Sequence, residues 1–185
     1  MEIDIAGNRQ ARKYSRSELL QRVLWAFAKP LFRYSPRPLY GWRNLLLRGF
    51  GARLGRQVRI YPSVEIFLPS LLVIGDEVTI GARAQLYNLG LMTIGAQVTV
   101  SQGAHLCGGS HDDTDPSLPL IRAAITLEAG CWVCADAFVG PGVTVGAGSV
   151  VAARAVCVRD VPAWTVVAGS PARWIRQRRL DKTRT

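Results

Sequence analysis

Bulky aliphatic residues return at every sixth position through most of this chain. They fall at Leu54, Ile60 and Ile66, then Ile74, Ile80 and Leu86, then Ile94, Val100 and Leu106, then Leu127, Val133 and Val139, and finally Val145 and Val151. Four places after them stand small or β-branched residues, among them Val58, Val78, Val98, Ala104, Cys131, Ala137, Ser149 and Ala155. Neither a helical period nor strict alternation generates this spacing. A six-residue period predicts a parallel β-helix, in which three short strands make one triangular coil and successive coils stack. The large residue fills the prism, and the next one bends the chain at a corner. Gly55, Gly75, Gly81, Gly95, Gly140 and Gly146 occupy that place, where lack of a Cβ is expected to relax the backbone limits.

The slips in phase carry information too. A coil of three sixes needs 18 residues, yet Leu54 to Ile74 and Ile74 to Ile94 each span 20, so two extra residues bulge from each early coil. Between Leu106 and Leu127 the gap is 21, and it holds the polar run Gly108-Gly109-Ser110-His111-Asp112-Asp113-Thr114-Asp115-Pro116. This predicts a loop over residues 107–126 thrown out from the prism, and loops on rigid scaffolds tend to carry function.

Upstream of the repeat, Ser15 and Glu18 form a capping-box pair ahead of Leu19, Leu20, Val23, Leu24 and Phe27 on one helical face, ending at Pro30. After Ser35-Pro36-Arg37-Pro38 a second run sets Trp42, Leu45, Leu46 and Phe50 at helical spacing. Residues 1–13 are polar, basic and aperiodic, and are expected to form a loosely held tail. Past Val151 the rhythm breaks at Asp160-Val161-Pro162, and a basic tail follows from Arg173. The division expected is a helical cap over 1–53, a β-helix over 54–160 and a C-terminal segment over 161–185. Two uses for the front helices stay open. They can cover the exposed first coil, or rest on a membrane surface through Trp25, Phe27, Trp42 and nearby arginines.

Hydrophobic residues make up 49% of the 185, enough for a continuous core. No window has the apolar length of a membrane span, and Met1-Glu2-Ile3-Asp4 does not begin like a secretory signal, so a cytoplasmic location is expected. The net charge of +10 sits at the ends. Residues 1–50 carry ten Lys or Arg against three acids, residues 173–185 six against one, and the body between them seven against nine. Basic ends on a near-neutral scaffold suit a phosphorylated cofactor or an anionic lipid surface. Nucleic acid is not expected, because no binding motif accompanies the charge. Cys107, Cys131, Cys134 and Cys157 fall at repeat positions and read as packed, reduced thiols. Cys131 and Cys134 spell C-x-x-C, but no second pair stands at metal-ligand spacing, and no metal is expected.

Two histidines are present, and both are read as pointing away from the prism near a corner. His105 lies within the repeat. His111 opens the loop, is surrounded by glycine, serine and acids, and is the natural general base of the chain, able to take a proton from a hydroxyl near neutral pH.

The repeats, together with Gly109-Ser110-His111-Asp112, Trp132-Val133, the run Val139-Gly140-Pro141-Gly142-Val143-Thr144-Val145-Gly146 and Val167-Ala168-Gly169-Ser170-Pro171-Ala172-Arg173, resemble the hexapeptide-repeat O-acetyltransferases. The helical start ending Trp42-Arg43-Asn44-Leu45-Leu46-Leu47-Arg48, with Leu86-Tyr87-Asn88-Leu89-Gly90, is most similar to the colanic-acid-biosynthesis branch, which modifies bacterial exopolysaccharides.

That resemblance implies a left-handed parallel β-helix, a homotrimer with sites in the clefts between prisms, and acetyl-CoA lying along the coils. It implies that His111 deprotonates a sugar hydroxyl for direct attack on the thioester. Asn88 matches a substrate-orienting asparagine, or is a stacked structural one. Asp112 is placed to bind a sugar hydroxyl, to orient the imidazole or to cap the loop. Trp132 matches a tryptophan that walls the site, or packs between subunits. Ala135 and Ala153 match small positions along the pantetheine arm. Arg173 and Arg176 match basic positions at the CoA phosphates, or are solvated charge. The short loop after His111 and the basic, aromatic front end depart from the small-sugar enzymes. They suit a lipid-linked oligosaccharide at the inner membrane face. A non-catalytic trimeric scaffold and a metalloenzyme like the γ-carbonic anhydrases are the rival readings.

Overall fold

In a computed structural model describing residues 3–180, the aliphatic sixes become three columns of paired strands. On the first face the strand register joins Leu54, Ile74, Ile94, Leu127 and Val145. On the second it joins Ile60, Ile80, Val100, Val133, Val151 and Val167, and on the third Ile66, Leu86, Leu106, Val139 and Cys157. All these pairings are parallel, and all but the partly buried Leu54 are buried. The fold is the expected left-handed parallel β-helix. Five complete coils are followed by a partial sixth, which Val161 opens by bridging Val145 on the first face and Thr165–Ala168 continues on the second.

The corner glycines have a different cause from the one expected. Left-handed backbone at the corners is taken mostly by non-glycine residues such as Gln57, Glu77, Gln97 and Arg154, with φ between 55° and 60°. At Gly75 a Cβ would lie 2.6 Å from Ala96 N, and at Gly95 2.7 Å from Ala129 N. Glycine is required there because the next coil's backbone passes too close for a side chain.

All three insertions leave from one corner, between the third and first faces. Coil one bulges at Pro69–Leu71 and coil two at Asn88–Leu91. Coil three sends out a hairpin, whose strands Gly109–His111 and Leu120–Arg122 pair antiparallel.

Three helices precede the coils, α1 (Ile5–Gln10), α2 (Arg16–Arg33) and α3 (Tyr40–Gly49), and the last two cover the first coil. The first coil has no coil beneath it, so its carbonyls need other donors. Trp25 Nε1 donates to Ile66 O, Arg43 Nε to Ile60 O, Asn44 Nδ2 to Val58 O, and Arg48 Nη2 to Leu54 O and Gly55 O. The guanidinium of Arg43 is fully buried and spends its remaining donors on Ser35 Oγ, Pro36 O and Arg37 O.

This capping reverses the expected face of α2. Trp25 and Phe32 point inward, edge to face at 5.9 Å, while Leu20, Val23, Leu24, Phe27 and Leu31 are 50–80% exposed. The helix also runs through Pro30 to Arg33, and Ser15 with Glu18 makes the capping box foreseen for it. Residues 3–13 are not a loose tail, since α1 docks on the hairpin loop through Asp4 N–H to Pro116 O; positions 1 and 2 of that stretch lie outside the described residues.

At the other end the basic tail is not simply charge. Arg173–Gln177 returns as an antiparallel strand on Thr165–Ala168, so the stack continues past the point where the rhythm breaks. Arg178 Nη1 ties it to the corner carbonyls of Gly130 and Gly148. The tail's last five positions, 181–185, lie outside the described residues.

Gly75→Ala is expected to cost about 1–3 kcal/mol, the usual penalty for forcing volume into a packed site. Glu77→Gly, at a left-handed corner with open space, is expected to cost little. Thermal unfolding of the two variants checks the distinction.

Candidate active site

His111 ends the first strand of the hairpin and leaves the six-residue phase, so it belongs to the excursion and not to a coil corner. Asp112 N–H donates to Pro119 O and closes the loop over residues 113–118. Within it Leu118 adopts a left-handed φ of 46°, unusual for a branched side chain. Its carbonyl oxygen lies 2.6 Å from His111 Nδ1. A carbonyl only accepts, so Nδ1 carries the proton. The neutral ring therefore presents an unprotonated Nε2, the form a general base needs.

Asp112 does not orient this ring. Its Oδ1 accepts from Thr114 N–H at 3.0 Å and Thr114 Oγ1 at 2.6 Å, which holds the loop turn and lowers the carboxyl's pKa. Asn88 needs a larger correction. It is fully buried, with Oδ1 accepting from Phe67 N–H and Leu68 N–H and Nδ2 donating to Leu68 O. Its amide stitches the bulge of coil two to that of coil one, as the structural alternative for this residue has it.

Trp132 lies on the second face between Thr99 and Val150, 44% exposed, with Nε1 donating to Ser101 Oγ at 2.8 Å. Ala135 and Ala153 sit at one corner of consecutive coils, where Arg154 N–H donates to Ala135 O. Among the described residues neither alanine's own N–H enters a main-chain hydrogen bond, so both remain available to a ligand. Arg173 and Arg176 are exposed, and among the described residues their guanidiniums reach only the neighbouring carbonyls of Ala172 and Gln177.

His105 is half-buried, edge-on to Phe138 at 5.4 Å, and burial lowers its pKa. Burial pushes the Cys131 thiol up to about 12 and raises Cys134 and Cys157 as well, which makes these poor nucleophiles. Between α2 and the third face lies a groove of about 230 Å³ lined by Lys29, Glu65, Phe67, Gln85 and Tyr87. Its aromatic and hydrogen-bonding lining is of the kind a sugar ring can occupy.

Sequence reasoning missed Leu118 and the clamp at the hairpin base. There Arg122 pairs with Glu18 at the start of α2 and donates from Nε to Leu89 O at 2.8 Å. Nothing in a lone leucine or glutamate signals such a task, although the capping box had marked Glu18 for the helix alone.

A prism of hexapeptide coils with one imidazole on a hairpin at its corner defines a class of enzyme, and similarity to known proteins agrees with it. No protein-family model matches the sequence. The chain nevertheless belongs to the hexapeptide-repeat acetyltransferase family. It is 44% identical over 157 residues to the "Putative colanic acid biosynthesis acetyltransferase WcaF" of Escherichia coli (strain K12), covering 85% of this chain and 86% of that protein. Among solved structures, a hexapeptide-repeat acetyltransferase of Vibrio cholerae in complex with acetyl-CoA superposes with a TM-score of 0.82 at 25% identity, over 95% of this chain and 97% of the other. A maltose O-acetyltransferase from Clostridium difficile gives 0.81 at 19% identity, over 90% of each chain, a likeness of fold.

The hairpin clamp has a pH signature. Hydrogen bonding from Arg122, ahead of the Ser15 N–H, pulls the Glu18 carboxyl from 4.5 down to about 2. A depressed acid contributes stability above its unfolded value and loses it on protonation. The ion pair is therefore expected to hold fully above about pH 4.5 and to fail as pH falls through about 2. In thermal unfolding followed against pH, Glu18→Gln should flatten this part of the acid limb.

Proposed function

We propose that this protein transfers the acetyl group of acetyl-CoA to a carbohydrate hydroxyl during assembly of an extracellular polysaccharide, with His111 as the general base. The observation that carries the proposal is the 2.6 Å contact from His111 Nδ1 to Leu118 O, which places the neutral ring's proton on Nδ1 and so makes Nε2 its basic nitrogen, on an exposed hairpin. Nε2 takes the hydroxyl proton as the sugar oxygen attacks the thioester carbonyl. The C–S bond then breaks, and the imidazolium returns the proton to the leaving sulfur. The Leu118 carbonyl favours both ring states, because it accepts the Nδ1–H in each.

Ala135 and Ala153 offer their N–H groups to the pantetheine arm, and Arg173 and Arg176 offer exposed cationic forks to the CoA phosphates. Trp132, with its indole nitrogen anchored on Ser101, gives an apolar wall for the sugar or the pantetheine. Asp112 shapes the loop and keeps Oδ2 for a sugar hydroxyl. The functional unit is a homotrimer in the cytoplasm, with each site completed by a neighbouring prism. The relative's printed name, a colanic acid biosynthesis acetyltransferase, supports an exopolysaccharide acceptor.

The acceptor is lipid-linked and met at the membrane surface. Among the described residues no helix is long and apolar enough to cross a bilayer. The outward side of α2 is instead an apolar strip of Leu20, Val23, Leu24, Phe27 and Leu31, in a front segment with ten basic residues against three acids. That composition suits shallow insertion among anionic headgroups.

His111→Ala is expected to lower acetyl-CoA turnover by about 100- to 10,000-fold while CoA binding and trimer mass persist. Undiminished turnover would refute the base. Phe27→Asp is expected to abolish cosedimentation with anionic vesicles at low salt and to leave turnover of a soluble acceptor unchanged. A loss of trimer mass in that variant would assign the strip to a subunit contact and overturn the membrane reading.

A further inference from the structure

We infer that Asn8, on the short N-terminal helix, is a positioning residue for the His111 imidazole and acts through the Leu118 carbonyl. The inference rests on His111 being the base. Its ground is a shared acceptor: Asn8 Nδ2 donates to Ser117 O and to Leu118 O, at 2.6 Å each, and the second of these oxygens is the one that His111 Nδ1 meets at 2.6 Å. A carbonyl oxygen has two lone pairs, so it can serve both donors at once.

The geometry explains why the loop needs outside help. Leu118 is held at a left-handed φ of 46°, which an L-residue reaches only at a cost of order 1 kcal/mol. Nothing in the sequence Ser117-Leu118-Pro119 favours that state. Donating to two successive carbonyls, the Asn8 amide fixes the direction of both, and thereby the plane in which the imidazole lies. Asn8 is itself held, since Lys13 Nζ donates to its Oδ1 at 2.6 Å. Asp4 caps the same helix by accepting the Gly7 N–H at 2.7 Å, and its own N–H donates to Pro116 O at 2.8 Å.

A six-residue helix with no buried residue cannot persist alone in water. What holds α1 is its contact with the loop, and what the loop receives is a fixed carbonyl. Without Asn8 the Leu118 peptide is free to leave the left-handed state, and His111 Nδ1 loses its acceptor. The ring then also populates the tautomer protonated on Nε2, which cannot take a proton from a hydroxyl.

The chain's two histidines make the test simple, with His105 as internal reference. In the full-length protein carrying ¹⁵N-labelled imidazoles, ring nitrogen shifts should report His111 as the Nδ1–H tautomer. In Asn8→Ala they should report a mixture, with kcat down about 10-fold and KM for acetyl-CoA unchanged. Asn8→Asp keeps the size, removes the donor and should behave alike, which covers the case of one variant folding poorly. Asn8→Gln, which keeps an amide, should recover part of both readouts. An unchanged tautomer in Asn8→Ala and Asn8→Asp, whether turnover falls or not, would overturn the inference. The tautomer readout needs no turnover, so its failure is distinct from full activity in His111→Ala, which would defeat the base assignment alone.

Discussion

Each coil of this molecule takes its main-chain hydrogen bonds from the coils above and below it, at the spacing of about 4.8 Å that neighbouring strands keep. Side-chain choice follows from that ladder. Only one large residue per face fits inside the prism, and no Cβ fits at Gly75 or Gly95, where the adjacent backbone passes. The ladder also has two ends, each a rim of unpaired polar groups. At the first rim the chain uses side-chain donors, namely Trp25, Arg43, Asn44 and Arg48. At the second it folds back on itself as an antiparallel strand. Burial of the Arg43 guanidinium is sustained because every nitrogen it carries meets a carbonyl or hydroxyl.

The same rigidity serves the site. Three insertions leave from one corner, so the bulges of coils one and two form a platform under the hairpin of coil three. Asn88 joins those bulges, and Arg122 ties the hairpin to Leu89 O in one direction and Glu18 in the other. The prism thus delivers a base that is exposed but not free to wander, since the hairpin is held at its root by α2 and at its loop by α1.

The fold could be read from the sequence wherever the ladder imposes a period. Ile60, Ile80, Val100, Val133 and Val151 form one column because each is stacked in register on the same inward position of the coil before it. Where the ladder ends, that logic ends too. The inward face of α2 was misjudged because helix patterning assumes an apolar groove as partner, and the partner here is a row of carbonyls that selected Trp25. The return strand escaped notice because Arg173 and Arg176, with the arginines that follow, read as charge. His111 was visible as a lone imidazole between glycines and acids. Leu118 was not, because its contribution is a main-chain oxygen aimed by a backbone angle. Asn88 stayed open between two roles in the sequence because an amide suited to a substrate is equally suited to a bulge, and only burial separates the two.

The hairpin's relation to the ladder has an evolutionary corollary. Ile125–Leu127 pairs directly with Met92–Ile94, so the coils close around the excursion as though it were absent. Residues of the excursion itself, between Cys107 and Ile125, can lengthen, shorten or change chemistry without disturbing the register of any column. Selection for a new acceptor is thereby uncoupled from selection for folding, and one scaffold can diversify its clientele by rewriting a single appendage.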